Sequence, residues 1–362
     1  MMVNNMDNTI RVGFLGAGGF AQAHAYALDA LKYYYADAPH LEKIVVASPT
    51  PAHRESFAQR FGFKTALPPE AIWERNDLDA LFILSPNETH TPQLVRAIAQ
   101  PNLSLIYVEK PVSISDKELN TLEMVSASGH AKFIMVGFEF LQKAPLRKAL
   151  AHWRTGVFGE LIHFRAEYLH SGYLDPEYRQ KKQHRFAPIP VDGAMVDLGT
   201  HVLSLLTAFL GNDLRVKSAL SSGRFIDVPP EADLCTTVLL EETTSGAAGT
   251  LVASRVSAGV GDQLTLELRG SRGALLFDSA RPDCYESYLP DEGWQRHEVN
   301  SDYLPASKFS SDYVPAGWLR ALVHSHYLFF GGERGISFIP DLAHGIRVQR
   351  LVNQIAEVLR DD

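Results

Sequence analysis

Short apolar runs alternating with helix-length amphipathic stretches organise the first third of the chain. Val12 to Leu15, Lys43 to Ala47, Leu81 to Leu84, Leu105 to Val108 and Lys132 to Val136 are apolar almost throughout, as strands covered on both faces of a parallel sheet must be. Between them, helical spacing runs from Ala21 to Leu31, from Ala52 to Phe61 ahead of Gly62, from Pro69 to Trp73, from Gln93 to Ala99, and to Ser128 from a cap at Ser115 or Asp116. Strand and helix in alternation predict an α/β fold with a doubly wound parallel sheet. Pro145 to Thr155 then reads as a crossover helix. Beyond Gly159 the hydrophobic period shortens to two, in Leu161 to Leu169, Val216 to Leu220, Leu234 to Leu240, Gly249 to Ser254, Leu264 to Arg269 and Ala274 to Phe277. Such a succession, with turns such as Ser271-Arg272-Gly273, predicts a large, mainly antiparallel sheet with one covered and one open face.

The chain has 362 residues, more than one core usually supports, so two domains are expected. The boundaries read as 1–140 for a nucleotide-binding half, 141–340 for an α/β substrate and oligomerisation half, and 341–362 for a C-terminal helix, Gly345 to Leu359, packing back towards the first. A formal net charge of −8 with no basic block argues against nucleic acid or an anionic membrane as partner. No apolar run is long enough to cross a bilayer. Met1 to Thr9 carries neither a basic nor an apolar region of the kind a signal peptide needs. Cys235 and Cys284 stand far apart and read as reduced structural thiols. A cytoplasmic location is the expectation. Neither acidic runs nor His/Cys spacings suggest a metal.

Chemistry begins at the first strand. Gly16-x-Gly18-x-x-Ala21 follows Val12 to Leu15 at once and opens into a helix, the strand-turn-helix context that a dinucleotide fingerprint requires. Gly16 permits the tight turn, Gly18 removes a Cβ that would block a pyrophosphate, and Ala21 lets the helix lie close to the strand. Gly19 and Phe20 share the turn and count with the cofactor contacts. The second strand ends in Ser48-Pro49-Thr50, where NAD-binding folds usually place an acid for the ribose hydroxyls. Its absence removes the charge barrier to a 2′-phosphate and leaves NAD and NADP both open, tilting towards NADP. Arg54 reads either as a further contact there or as a solvated residue of the next helix.

Three more segments carry functional groups. Ser85-Pro86-Asn87 falls at the carboxyl edge of the sheet, where open α/β sheets bind ligands, and Asn87 also suits a helix cap. Glu109-Lys110-Pro111 puts charge directly after a buried strand. There a Lys would be partly desolvated, able to touch both a substrate hydroxyl and the nicotinamide carboxamide. Asp197 and His201 stand four apart; on a helix they share a face, so the carboxylate could hold an imidazole that takes a hydroxyl proton.

Together, Gly16-x-Gly18-x-x-Ala21, Ser85-Pro86-Asn87-x-x-His90, Glu109-Lys110-Pro111 and Asp197-x-Gly199-x-His201 resemble the signature set of the glucose-fructose oxidoreductase, inositol dehydrogenase and MocA family, over nearly the whole chain. The resemblance implies a Rossmann domain, an open-sheet domain that forms homodimers or homotetramers, and NAD(P)-dependent hydride transfer on a sugar or polyol. It makes Lys110 the ligand of the reacting hydroxyl and nicotinamide, His201 the general base or acid, and Asp197 the group that orients His201 or binds a neighbouring hydroxyl. It adds His90, Glu109 and Arg185 to the cofactor contacts. Departures are Ser85 for a more usual Thr, an Arg without its Trp at Arg185, and Val191 to Met195 where many members have a glycine run. Tyr168, His170, Tyr173 and Tyr178 cluster where a sugar would lie and read either as its stacking partners or as packing aromatics. A glycosidase using retained NAD for transient oxidation, a catalytically silent sensor, and a reductase of non-sugar carbonyls are the rival readings.

Overall fold

The computed structural model describes residues 9–361 except 212, 223–224, 226, 300–316, 333 and 336. The polar N-terminal stretch read above lies, up to residue 8, outside them. Six strands, β1 (Thr9–Leu15), β2 (His40–Ala47), β3 (Thr65–Leu67), β4 (Ala80–Ile83), β5 (Leu105–Val108) and β6 (Phe133–Val136), form one sheet in the order β3-β2-β1-β4-β5-β6. All its pairings are parallel. The order reverses between β1 and β4, which opens a crevice at their carboxyl ends. Helices α1 (Gly19–Tyr34), α2 (Pro51–Phe61), α3 (His90–Ala99) and α4 (Asp116–Ala127) supply the crossovers. Helix α1 overruns its expected end by three residues, which accounts for the late end of β2. The cap of α4 is Ser115, whose hydroxyl accepts the Glu118 N–H. Short β3 escaped the sequence reading because three residues carry too little periodicity.

After α5 (Ala144–Trp153), eight strands make the second sheet: β7 (Leu161–His170), β8 (Leu214–Ser222), β9 (Cys235–Glu242), β10 (Ala247–Ser254), β11 (Asp262–Gly270), β12 (Ala274–Asp278), β13 (Cys284–Leu289) and β14 (Gly293–Glu298). Their order is β14-β13-β12-β11-β7-β10-β9-β8, antiparallel except for β7 beside β10. Strands β13 and β14 went unread because their polar residues mask the alternation. Helix α5 packs on β12 and β13, and α7 (Thr200–Leu210) on β7. Short α6 (Pro176–Lys181) lies in the loop before α7. The uncovered face presents Leu220, 70% exposed, and Leu239, 41% exposed, among Arg165, Glu267, Glu286 and Arg296.

Two later helices tie the halves together. Helix α8 (Trp318–Phe329), not foreseen, packs on α1, and α9 (Leu342–Asp361) packs on α4 and β6 of the first sheet as well as on α7 and β8. One apolar cluster therefore runs from Val108 and Val136 through Leu203 to Leu251 and Leu266. No described helix is long and apolar enough to cross a membrane.

Candidate active site

At the start of α1, Gly16 has φ +112°, and an added Cβ there would strike the Leu84 carbonyl. Only glycine fits that turn. Gly18, the N-cap, has φ −72° and no side-chain cap bond; an added Cβ at Gly18 or Gly19 would meet nothing within 4 Å. The helix thus presents uncapped N–H groups to an open approach and carries no acid in its first turn. This fits a dinucleotide pyrophosphate.

Facing that turn is a cavity of about 490 Å³ lined by Phe20, Ser85, Asn87, His90, Glu109, Lys110, Glu139, Phe140, Tyr168, Arg185, Asp197, His201, Asp262 and Trp318, among others. Ten of these were singled out from the sequence. Phe20 stacks on Trp318 at 5.9 Å between ring centroids. His90 is a brace: its Nδ1 lies 2.7 Å from the Pro111 carbonyl oxygen and its Nε2 2.7 Å from that of Ser85. It thereby fixes the two loops that follow β4 and β5. Ser85 Oγ donates to Gln93 and accepts from Thr89. Asn87, which also suits a helix cap, does not cap α3. It starts a single 3-10 turn, and its amide reaches across to the Val191 carbonyl at 3.3 Å. The segment standing in place of a glycine run thus closes against the nucleotide-side loop.

Lys110 Nζ donates to the Asp197 backbone oxygen at 2.7 Å and lies 3.4 Å from its Oδ1. Asp197 is the centre of a charge network. Its Oδ2 accepts from Arg255 at 3.0 Å and its Oδ1 lies 3.1 Å from Arg185. Burial alone would raise the Asp197 pKa, but Arg255, Lys110 and Arg185 outweigh it and hold the carboxyl well below its usual range. Asp192 braces both arginines, accepting from Arg255 at 2.8 Å and from Arg185 at 3.1 Å.

The expected Asp197–His201 pair does not form; among the described residues no hydrogen bond joins them. Met195–Gly199 is a π-helical turn leading into α7, and the Asp197 carboxylate at its centre is engaged by Arg255, Arg185 and Lys110. His201 instead sits among rings, 4.9 Å from Phe140 and 5.9 Å from Tyr168, with Nδ1 buried and unpartnered among the described residues. Burial first, and Lys110 second, hold its pKa well below the usual value, so the imidazole is neutral at pH 7.

Behind Lys110, Glu109 Oε1 lies 3.0 Å from His24 Nε2, and His24 Nδ1 lies 2.9 Å from His326 Nε2. Gly137 makes room for this carboxyl, since an added Cβ would overlap it. Burial raises the Glu109 pKa to about 7 against the opposing pull of Lys110.

Several expected contacts fall outside the cavity lining. Tyr173 is buried beneath Arg255, 4.8 Å from its guanidinium, and Tyr178 packs edge-on against Tyr173. His170 Nδ1 accepts the Gly172 N–H. Of that aromatic group only Tyr168 reaches the site. Ser48 lies at the end of β2, its carbonyl bonded by Arg54, which also bonds the Pro49 carbonyl. Arg54 is therefore not a free solvated residue. Arg255, Glu139, Asp262 and Trp318 were missed. Arg255 follows an apolar strand directly, the same signal that marked Glu109-Lys110. No group of three or more described His, Cys, Asp or Glu residues has metal-binding geometry.

Comparison with known proteins matches this arrangement. Residues 10–138 match the oxidoreductase family model with an NAD-binding Rossmann fold, and residues 146–276 match the GFO/IDH/MocA C-terminal domain. The chain is 24% identical to levoglucosan dehydrogenase of Pseudarthrobacter phenanthrenivorans over 96% of its length and 95% of that protein's. It is 27% identical to inositol 2-dehydrogenase of Rhizobium meliloti over 82% of the chain and 83% of the relative. A solved structure of levoglucosan dehydrogenase in complex with NADH superposes with a TM-score of 0.83 at 22% identity, covering 98% of this chain and 97% of that one. With both halves matched in order and the signature residues gathered at one cavity, the chain belongs to the GFO/IDH/MocA family of NAD-binding oxidoreductases.

Proposed function

We propose that the protein moves a hydride between a nicotinamide cofactor and a secondary alcohol or carbonyl carbon of a sugar or polyol. The observation that carries this reading is the placement of Lys110, Asp197 and His201 on one cavity that opens beside the uncapped N-terminus of α1. Gly16 to Ala21 would hold the pyrophosphate, Ser48 and Arg54 the adenosine ribose, and Ser85 to Asn87 with Glu109 the nicotinamide side. Bound there, the nicotinamide ring supplies the two-electron acceptor or donor.

The chain's own groups manage the proton and the oxygen. Lys110 has two of its ammonium contacts in Asp197, leaving a donor for the substrate oxygen. The neutral imidazole of His201 takes the hydroxyl proton in oxidation and returns it in reduction. Asp197 acts on Lys110, whose position it sets, rather than on His201. Phe140 and Tyr168 exclude water around the imidazole.

Ser48 in place of an acid, with Arg54 folded over the same turn, supports use of NADP as well as NAD, and the reading tilts to NADP. The domain division lies near residue 140, with α8 returning to the nucleotide half. Leu220 and Leu239 on the open sheet face support association of copies into a homodimer or homotetramer; Leu220→Asp with Leu239→Asp should lower the mass measured by sedimentation equilibrium. Cytoplasmic residence remains the favoured location. The decisive experiment is a fluorescence titration with NADH and NADPH, followed by absorbance-monitored turnover over a panel of sugars and polyols. Binding with turnover establishes the activity, and the tighter nucleotide settles what Ser48 means. Failure to bind either nucleotide ends the reading.

A further inference from the structure

Glu139 has no part in the mechanism above. It lies in the turn after β6, only 4% exposed, on the cavity wall it shares with Tyr168, His201 and Asp262. Its Oε2 is buried and has no hydrogen-bond partner among the described residues. The neighbouring ionisable groups are engaged: Asp197 by Arg255, Lys110 by Asp197, Glu109 by His24. A buried polar atom left without a partner is costly, and where it faces a ligand cavity the natural partner is the ligand.

The charge of the wall narrows the ligand. Cations Lys110 and Arg185 line the cavity, and both are already bound to Asp197 or Asp192. Lys143, with its ammonium 5.1 Å from the centre of the Phe140 ring, feels the charges of Glu139, Asp262 and Asp283 only at longer range. Against them stands Asp262, with Glu139 on the same wall. A phosphate would bring nearly two further negative charges, while the two cations that line the cavity are already paired. Burial, and then the charge of Glu109, raise the Glu139 pKa to about 8. At neutral pH its carboxyl therefore carries an O–H donor beside a carbonyl acceptor, matching the donor and acceptor of an alcohol.

We infer that Glu139 is a substrate contact, taking a hydroxyl of an uncharged sugar or polyol and selecting against phosphorylated or carboxylated ones. This deepens the oxidoreductase reading and rests on it for the presence of a hydroxylated substrate. The test is calorimetric titration of the NADH-loaded protein with glucose, myo-inositol and glucose 6-phosphate, on wild type, Glu139→Gln and Glu139→Leu, beside thermal melts and turnover. The expected result is tighter binding of an uncharged member than of glucose 6-phosphate by at least tenfold in the wild type. Glu139→Gln should stay within about threefold of that affinity, because the amide also donates and accepts. Glu139→Leu should lose about 10- to 100-fold, in KM more than in kcat, while melting no lower than wild type, since an unpartnered buried carboxyl has gone. Glucose 6-phosphate bound as well as the best uncharged ligand, or wild-type affinity in Glu139→Leu, overturns the inference. The wild-type comparison stands even where a variant does not fold. Glu139-dependent sugar binding without hydride transfer keeps the inference and ends the oxidoreductase reading; turnover with affinity indifferent to Glu139 does the reverse.

Discussion

Two side chains carry the proposed proton and oxygen chemistry, and their removal should show it. Lys110→Ala and His201→Ala are each expected to cut kcat/KM by about 10²- to 10⁴-fold, the usual worth of a positioned acid–base group, with NADH affinity in fluorescence titration nearly unchanged. Normal activity in either would break the role assignment. Because burial and Lys110 keep the His201 pKa low, the base form persists at neutral pH, and kcat/KM should fall from this group only on the acid side. Arg255 is the residue on which Asp197 depends. It is fully buried, and Arg255→Met would strand Asp192 and Asp197 without it. Breaking a buried ion pair from one side costs about 3–5 kcal/mol, so urea unfolding should show a loss of that order, together with a fall in kcat as Lys110 loses its anchor. Lys110 was legible because a charge directly after an apolar strand demands a reason. Arg255 obeys the same rule at the end of β10, but its partners lie 58 and 63 positions away, beyond the reach of local spacing.

At the level of elements, the turn into α1 separates shape from binding. Gly16, at φ +112° and against the Leu84 carbonyl, is there for the backbone; Gly16→Ala should cost about 1–3 kcal/mol of stability by strain in a glycine-only conformation, read in thermal or urea melts. Gly18 has an ordinary φ and open space beside it. Gly18→Asp should keep the wild-type melting temperature and abolish NADH binding, since a carboxylate then occupies the anion site at the helix end. Equal melting losses for both would show that the turn is purely structural. The opposite lesson comes from Met195–Gly199, where the sequence supports an ordinary helical face and the chain forms a π-helical turn. Gly193 before it has φ +108°, and Asp233 accepts the Met195 N–H at 2.6 Å. That tertiary hydrogen bond, from a residue 38 positions on, shapes the entry to the turn, and no periodicity announces it.

Across the whole molecule, pH couples the site to folding. Glu109 and Glu139 hold their protons more tightly folded than unfolded, with pKa values raised from 4.5 to about 7 and about 8. Their contribution is complete below the unfolded value and is lost as pH rises through the folded ones, at up to about 1.4 kcal/mol per pH unit for each group. Asp197, held low, works in the other sense: its contribution is present above the unfolded carboxylate range and is lost as pH falls through the folded value. Melting temperature of the cofactor-free protein should therefore peak near pH 4–4.5, between the unfolded Asp and Glu values, and decline to about pH 8, with Glu139→Gln making that decline shallower. A flat alkaline limb in the wild type would show that these carboxyls are not buried together. The sequence by itself determined the alternating α/β half, the sheet-rich second half, the glycine turn and the family signature, because periodicity, glycine conformation and short motifs are local properties. Only the tertiary structure decided which charges meet. It paired Asp197 with Arg255, Arg185 and Lys110 rather than with His201, buried Tyr173 beneath Arg255, and brought Glu139 and Asp262 from different elements to one wall. Those outcomes follow from burial and long-range electrostatics, whose energies depend on groups far apart in the chain.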